Sequence, residues 1–339
     1  MNELAQTPEE PPPARSEPAA PSKWARVRTI GRWVLFVAGV GAVVALIVDA
    51  GPAAVWSTLW RAGVWLPFVV LFEIGFAGMD VFALRWLYGE RASKVPIAVW
   101  LRSALVAYGI MAFLPAGRAG GERMRAAALA PYVGGARAAA GAAVLQGISL
   151  WGNTLISVPC YVAVAIATGP TSILSLLVAG NGLVTGVLGS LVFFGARISK
   201  LGGWLGKRIK ALGPHGAHFD AHLREMPAIP VRSILASLGG RLWQSLQYAV
   251  LLGAVGGAVT VDGTLVAQGI HLVGAGFGDM VPNQAGITES VYRVFGDSLS
   301  LEPASAISIA LVFRICQFVL AGGCLLAGML WKPPEVAET

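Results

Sequence analysis

Charged residues are scarce in this chain. Asp, Glu, Lys and Arg make up only 13% of its 339 residues, whereas a soluble domain carries about 25%. None of the four residue types occurs between residues 138 and 196, a stretch long enough for two helices. A soluble protein with a large core would need charged faces on such helices. The sequence therefore predicts an all-α integral membrane protein.

Cysteine and histidine are also rare, and their positions exclude several kinds of site. The three cysteines lie in apolar stretches and suggest neither a disulfide framework nor a metal motif, and the four histidines lack metal-ligand spacing. The chain has no GK[ST] phosphate loop, serine nucleophile elbow or HExxH motif. We expect no cofactor, no metal and no enzymatic activity. The net charge of +7 comes from basic residues in loops, which orient membrane proteins, so no nucleic-acid partner is expected.

Apolar runs predict about six transmembrane helices. They cover residues 33–48, 64–88, 138–168, 171–196, 231–257 and 304–331. Residues 1–25, rich in proline and without apolar periodicity, are predicted to be a disordered tail. Residues 26–332 then form one polytopic domain, with an outer loop at 51–63 and a cytoplasmic loop at 196–230. Residues 333–339 are a second tail, and the positive-inside bias places both termini in the cytoplasm.

Two further apolar segments are each interrupted by a turn. One runs from residue 95 to about 132, the other from residue 262 to about 302. Each arm is short for a span, which needs about 20 helical residues. Broken segments at membrane depth are tolerated where they are buried in protein or line a wet cavity. We predict two re-entrant hairpins of half-helices. The charges of the loops place the entry points of the two hairpins on opposite sides of the membrane, which indicates an inverted repeat.

A glutamate follows the turn in each hairpin, with an arginine on the same helix face. Glu122 has Arg125 three residues on, and Glu289 has Arg293 four residues on. Helix N-termini favour anions, so with Arg118 the two turns suit an anionic lipid head group. The glutamates have two interpretations. In the first, they pair with the arginines and release them to phosphate, or they exchange protons. In the second, they are capping carboxylates that hold the turns rigid.

Two more carboxylates lie inside a predicted span. Glu73 and Asp80 are seven residues apart and share one helix face. Charges within a span usually face the bundle interior and are functional, although Asp80 is equally explained by a salt bridge to a neighbouring helix. The predicted lipid-binding residues are Glu73, Asp80, Pro115, Arg118, Gly120, Gly121, Glu122, Arg125, Asp279, Pro282, Asn283, Gly286, Glu289 and Arg293.

Other polar positions within spans are interpreted as contacts between helices. Arg241, Gln244 and Gln247 recur every three residues, and Gln146 and Asn153 lie seven apart. Such residues more often bond a neighbouring helix than a substrate.

The two turns resemble the signatures of a known family. Pro115 followed by Gly120-Gly121-Glu122-x-x-Arg125, and Pro282-x-x-x-Gly286-x-x-Glu289, are similar to motifs of the lysylphosphatidylglycerol synthetase transmembrane-region, or flippase-like, family. The Gly-Gly-Glu form most resembles its hopanoid-biosynthesis-associated branch. The resemblance covers roughly residues 30 to 330. This chain departs from it in placing Arg118 one residue early, and in having residues 283–285 as Asn-Gln-Ala instead of glycines.

The resemblance implies a bacterial inner-membrane protein that moves a lipid between leaflets. It does not imply aminoacyl-lipid synthesis, which needs a large soluble domain. Two alternatives remain open. The chain is a membrane subunit that positions a lipid-modifying or glycosyl-transferring enzyme, docked on the 196–230 loop, or it is an intramembrane enzyme that acts on lipid phosphates. The lipid, the direction of movement, the energy coupling and the oligomeric state do not follow from the sequence.

Overall fold

The computed structural model describes residues 23–113, 117–195, 213–278, 281 and 284–331, and for residues 23–33, 35, 36, 195 and 213–217 only the backbone. Within these ranges the chain is all-helical, without strands. The twelve α-helices are α1 Lys23–Ala50, α2 Pro52–Gly63, α3 Leu66–Tyr88, α4 Ile97–Phe113, α5 Gly117–Val133, α6 Gly135–Thr168, α7 Ile173–Ser190, α8 Gly213–Glu225, α9 Val231–Ala254, α10 Val261–Gly278, α11 Ile287–Phe295 and α12 Pro303–Leu330.

Three shorter turns of helix extend or join these elements. They are the 3₁₀ turns Gly89–Lys94 and Gly296–Leu299 and the π turn Leu191–Gly195. Residues 1–22 and 333–339 of the predicted tails, residues 196–212 of the predicted loop, and Pro115, Asp279, Pro282 and Asn283 lie outside the described residues, whereas residues 23–25 are the start of α1.

Long apolar helices and an apolar surface identify a membrane-embedded protein. In the part of the chain that the structure describes, four segments are long and apolar enough to cross a bilayer: Leu66–Lys94, Gly135–Thr168, Ile173–Phe194 and Pro303–Leu330. Large apolar side chains are exposed along them, among them Ile166, Leu183 and Leu330. An exposed apolar surface of this extent is unfavourable in water and suits lipid. Counting the bent pair α1–α2 as one span gives five.

The fifth predicted span, residues 231–257, corresponds to α9. This helix is 24 residues long, which is enough to cross a bilayer. Its arginines, glutamines and serines make it too polar to pass a hydropathy test. Most of those polar side chains are buried, Gln244 and Gln247 among them. The helix therefore faces protein more than lipid.

The predicted outer loop at 51–63 is wrong, because this segment is helix α2. Gly51 has a φ of 87° and Pro52 stands at the first helical position, so the chain turns sharply and restarts a helix that proline suits. The turn sets Val37–Ala50 and Pro52–Gly63 at 101°. Trp56 and Trp60 are exposed on α2, as is common for helices at a membrane interface.

The helices form two series with the same order of elements. Each series has a long helix, a hairpin of two helices and a second long helix: α3, α4–α5 and α6, then α9, α10–α11 and α12. Helices α3 and α9 pack against each other, α4 packs on α12 and α10 on α6.

Helices α3 and α9 run antiparallel to each other. Gln247 near the end of α9 donates to the Val69 carbonyl oxygen near the start of α3 at 2.8 Å. Ser233 at the start of α9 donates to the Ala83 carbonyl oxygen near the end of α3 at 2.7 Å.

Glycines allow the arms of both hairpins to pack closely. A methyl group on Gly121 of α5 would lie 2.6 Å from the Ala107 carbonyl oxygen of α4, and one on Gly274 of α10 would lie 3.0 Å from the Thr288 Cα of α11. The hydroxyl of Tyr292 on α11 also donates to the Ala267 carbonyl oxygen of α10 at 2.8 Å. Both segments predicted to be hairpins therefore are helical hairpins.

Candidate functional site

A cavity of about 780 Å³ lies between the two hairpins. Its walls come from helices α3 to α7, α9, α10 and α12 and from the second turn at Val281 and Gln284. Of the predicted site residues it is lined by Glu73, Asp80, Arg118, Glu122 and Arg125. The structure thus brings together the in-span carboxylates and the charged start of α5.

The first hairpin supplies most of the charge in this cavity. Arg125 is only 5% exposed and lies 3.4 Å from Glu122, which confirms that the two share a helix face. Arg118 donates to the Ser149 hydroxyl of α6 at 2.7 Å, and Arg123 also lines the wall. Gly117 and Gly121 are buried against α4, and Gly120 is partly buried beside them. Small residues here let the charged helix start sit close to its neighbour.

Helix α9 adds a cation, Arg241, to the cavity. The sequence pattern predicted only contacts between helices for this residue. Arg241 is 7% exposed, lies over the Phe76 ring with its Cζ 4.8 Å from the centroid, and donates to Gln244 at 2.9 Å. Both residues line the cavity, whereas Gln247 bonds α3. The expectation of interhelical contacts is therefore confirmed for Gln247, while Arg241 and Gln244 face the cavity as well. Three polar residues in one helix, three apart, were the available signal.

Several residues that line the cavity carry a buried polar atom that has no hydrogen-bond partner in the described part of the chain. These atoms belong to Glu122 (Oε2), Arg125 (Nε, and Nη1 apart from its ion pair with Glu122 Oε1), Asn153 (Oδ1), Asn181 (Nδ2), Arg241 (Nε) and His271 (Nδ1). Buried polar atoms are normally satisfied, and leaving one unpaired is costly. Donors and acceptors held open around one space are suited to a polar ligand with negative charge.

The second hairpin has a different chemistry. Glu289 is fully buried, and Arg314 of α12 donates to its two carboxylate oxygens at 2.7 and 2.8 Å. The same carboxylate accepts from the Gly286 backbone N–H at 3.0 Å and so caps α11. The Glu289 carboxylate therefore occupies the helix start that was expected to bind an anion, in agreement with the capping interpretation.

The expected Glu289–Arg293 pair does not form. Arg293 turns outward and donates to Asp49 of α1 at 3.2 Å, because Arg314, from the packed helix α12, already occupies both carboxylate oxygens. Arg314 lies within the last predicted span, residues 304–331. Neither Glu289, Arg293 nor Gly286 lines the cavity; the second turn contributes Val281 and Gln284 instead. The two turns have similar sequences, but only the glutamate and arginine that follow the first turn line the cavity.

These features define the class: an all-helical, membrane-embedded protein with a charged and partly unsatisfied cavity between two helical hairpins. No protein-family model matches the chain, and no curated protein or solved structure does so either. Within the described residues no group of three or more metal-ligating side chains comes together.

Proposed function

We propose that this chain moves a lipid with an anionic or polar head group between the leaflets of a bacterial inner membrane. The observation that carries the proposal is the set of unsatisfied polar atoms around the central cavity. Among them, Arg125 and Arg241 offer N–H groups to a phosphate, and guanidinium groups bind phosphate strongly. A lipid head crossing the membrane needs such groups to replace its water.

The arrangement of helices supports an inverted repeat as the framework for this movement. Two elements exchanged by a two-fold axis run antiparallel when the axis is perpendicular to them. Helices α3 and α9 meet this condition, and α4 on α12 corresponds to α10 on α6. Transporters with inverted repeats bind their substrate between the repeats and expose it alternately to either side. The proposal also agrees with the lipid movement that the resemblance to the flippase-like family implies.

Lipid exchange in liposomes tests the proposal. Purified protein is reconstituted with fluorescent phosphatidylglycerol or phosphatidylethanolamine, and the outer-leaflet label is quenched chemically. The double variant Glu122→Gln/Arg125→Gln removes both charges of the pair, so neither remains unpaired. Losing hydrogen bonds to a charged group costs about 1.5–3 kcal/mol, and we expect exchange to slow by roughly tenfold to a hundredfold.

Arg293→Gln is the matched control. Arg293 is the corresponding arginine of the second hairpin, its side chain is 38% exposed, and it pairs with Asp49 outside the cavity. We expect this variant to exchange lipid like the wild type. If the wild-type protein exchanged neither lipid faster than empty liposomes do, the proposal would be contradicted and the enzyme-positioning alternative favoured.

A further inference from the structure

Glu73 is the most enclosed carboxyl that borders the cavity. The residue is 1% exposed and lies on α3 between three other helices. The Tyr108 hydroxyl of α4 donates to Glu73 Oε1 at 2.7 Å, and the Gln247 side-chain amide of α9 donates to Glu73 Oε2 at 3.1 Å. Gln317 of α12 faces the same carboxyl.

The partners of Glu73 are neutral, unlike those of the other buried glutamates. Glu122 has Arg125 within 3.4 Å, and Glu289 has Arg314 within 2.6 Å. Among the described residues no cationic nitrogen lies within ion-pair distance of Glu73. A buried carboxylate held by neutral donors alone lacks the compensation that an ion pair provides. A proton can supply that compensation.

The groups around Glu73 that carry charge or titrate come from three helices. They are Tyr108 on α4, Arg241 and Tyr248 on α9 and Cys316 on α12. Of these, Arg241 is the one cation. It also faces Asp80, so the attraction of this guanidinium is shared between two carboxyl groups of α3.

The neighbouring amide can accommodate either protonation state. Gln247 Nε2 donates to Glu73 and to the Val69 carbonyl oxygen, while Gln247 Oε1 is buried without a hydrogen-bond partner in the described structure. When Glu73 Oε2 gains a proton it becomes a donor, and the existing bond from Gln247 Nε2 is weakened. Rotation of the amide then presents Oε1 as the acceptor and releases the bond to Val69.

We propose that Glu73 binds and releases the proton that couples a proton gradient to lipid movement. This inference rests on the proposed lipid transport. Proton binding changes a hydrogen bond that joins α3 to α9, one helix from each series. Tyr108, which donates to the other carboxyl oxygen, Oε1, links Glu73 to the first hairpin, whose other arm holds Arg118, Glu122 and Arg125 at the cavity.

The test compares lipid exchange with and without a pH gradient of one unit across the liposome membrane, a tenfold difference in proton concentration. In the wild type we expect the gradient to change the exchange rate several-fold. In Glu73→Gln, the ratio of the two rates should be one. Asp80→Asn, seven residues along the same helix, is the matched control; its absolute rate can change, but its response to the gradient should persist.

A second measurement separates failure of this inference from failure of the proposed function. Infrared difference spectra of the purified protein between acid and neutral pH should show the carbonyl band of a protonated carboxyl, absent from Glu73→Gln and present in Asp80→Asn. If the band remains in Glu73→Gln, the proton site is wrong even if lipid moves. If the band is lost in Glu73→Gln but the wild type exchanges no lipid, Glu73 is the proton site and the proposed lipid transport is wrong. An unchanged gradient response in Glu73→Gln overturns the coupling.

Discussion

At the scale of single residues, the partner of a carboxylate decides whether it is structural. Glu122 and Glu289 follow similar turns, yet Glu289 is sealed by Arg314 and by its own helix N-terminus, whereas Glu122 keeps one oxygen without a partner. A carboxylate with all acceptors filled stabilises a fold. One with an open acceptor beside open arginine donors can take part in binding.

Arg314→Gln should destabilise the protein strongly. Removing one partner of a buried ion pair typically costs about 3–5 kcal/mol, because the other charge stays buried. Thermal unfolding in detergent measures the effect. Arg293→Gln, which breaks the exposed pair with Asp49, should cost about 1 kcal/mol or less. Equal unfolding temperatures for the two variants would show that the Glu289–Arg314 pair does not hold the second hairpin.

At the scale of elements, each hairpin depends on close approach of its arms. Both arms of the first hairpin have 17 residues, and Gly117 and Gly121 of α5 lie directly against Met111 of α4. Proline and polar residues at the turns explain why the sequence already indicated a break. The glycine spacing determines how close the returning helix comes.

Gly121→Ala should separate the arms of the first hairpin. The added methyl group would meet the Ala107 carbonyl oxygen and the Met111 side chain at 2.6 Å, and overpacking of this kind costs about 1–3 kcal/mol. The unfolding temperature should fall. Gly180→Ala is the control, since a methyl group on this α7 glycine meets nothing within 4 Å and should stabilise the helix by up to about 1 kcal/mol. Destabilisation by both variants alike would contradict the packing argument.

At the scale of the whole molecule, orientation in the membrane remains a prediction from loop charge. The α6–α7 turn near Thr171 has no charged residue, whereas the segment before α9 is rich in Lys and Arg. The positive-inside bias therefore places Thr171 outside and His218, on α8, inside. Both residues are exposed.

Cysteine labelling in intact spheroplasts tests this orientation. Thr171→Cys should react with a membrane-impermeant maleimide, and His218→Cys should react only after the membrane is permeabilised. The three native cysteines are buried and should give a low background. The opposite labelling pattern would reverse the predicted topology and place both termini outside the cytoplasm.

The sequence by itself determined the class of the protein and the location of its breaks. Hydropathy is a property of neighbouring positions in the chain, so the scarcity of charge was enough to indicate helices in a membrane. Proline and glycine, which are also local signals, indicated both hairpins. The same local signals misjudged residues 51–63, where an amphipathic helix resembles a loop. They indicated α9 as a span, but not that most of its polar side chains are buried against neighbouring helices.

Only the tertiary structure decided which polar residues face one another. Arg314 lies 25 residues from Glu289, and Arg241 lies 161 residues from Asp80 in sequence, so no periodicity along one helix could pair them. The antiparallel packing of α3 on α9 brings Glu73 to Gln247 and Asp80 to Arg241. Helix packing places partners from distant segments at one depth, and that depth determines which charges are sealed and which remain open to a ligand.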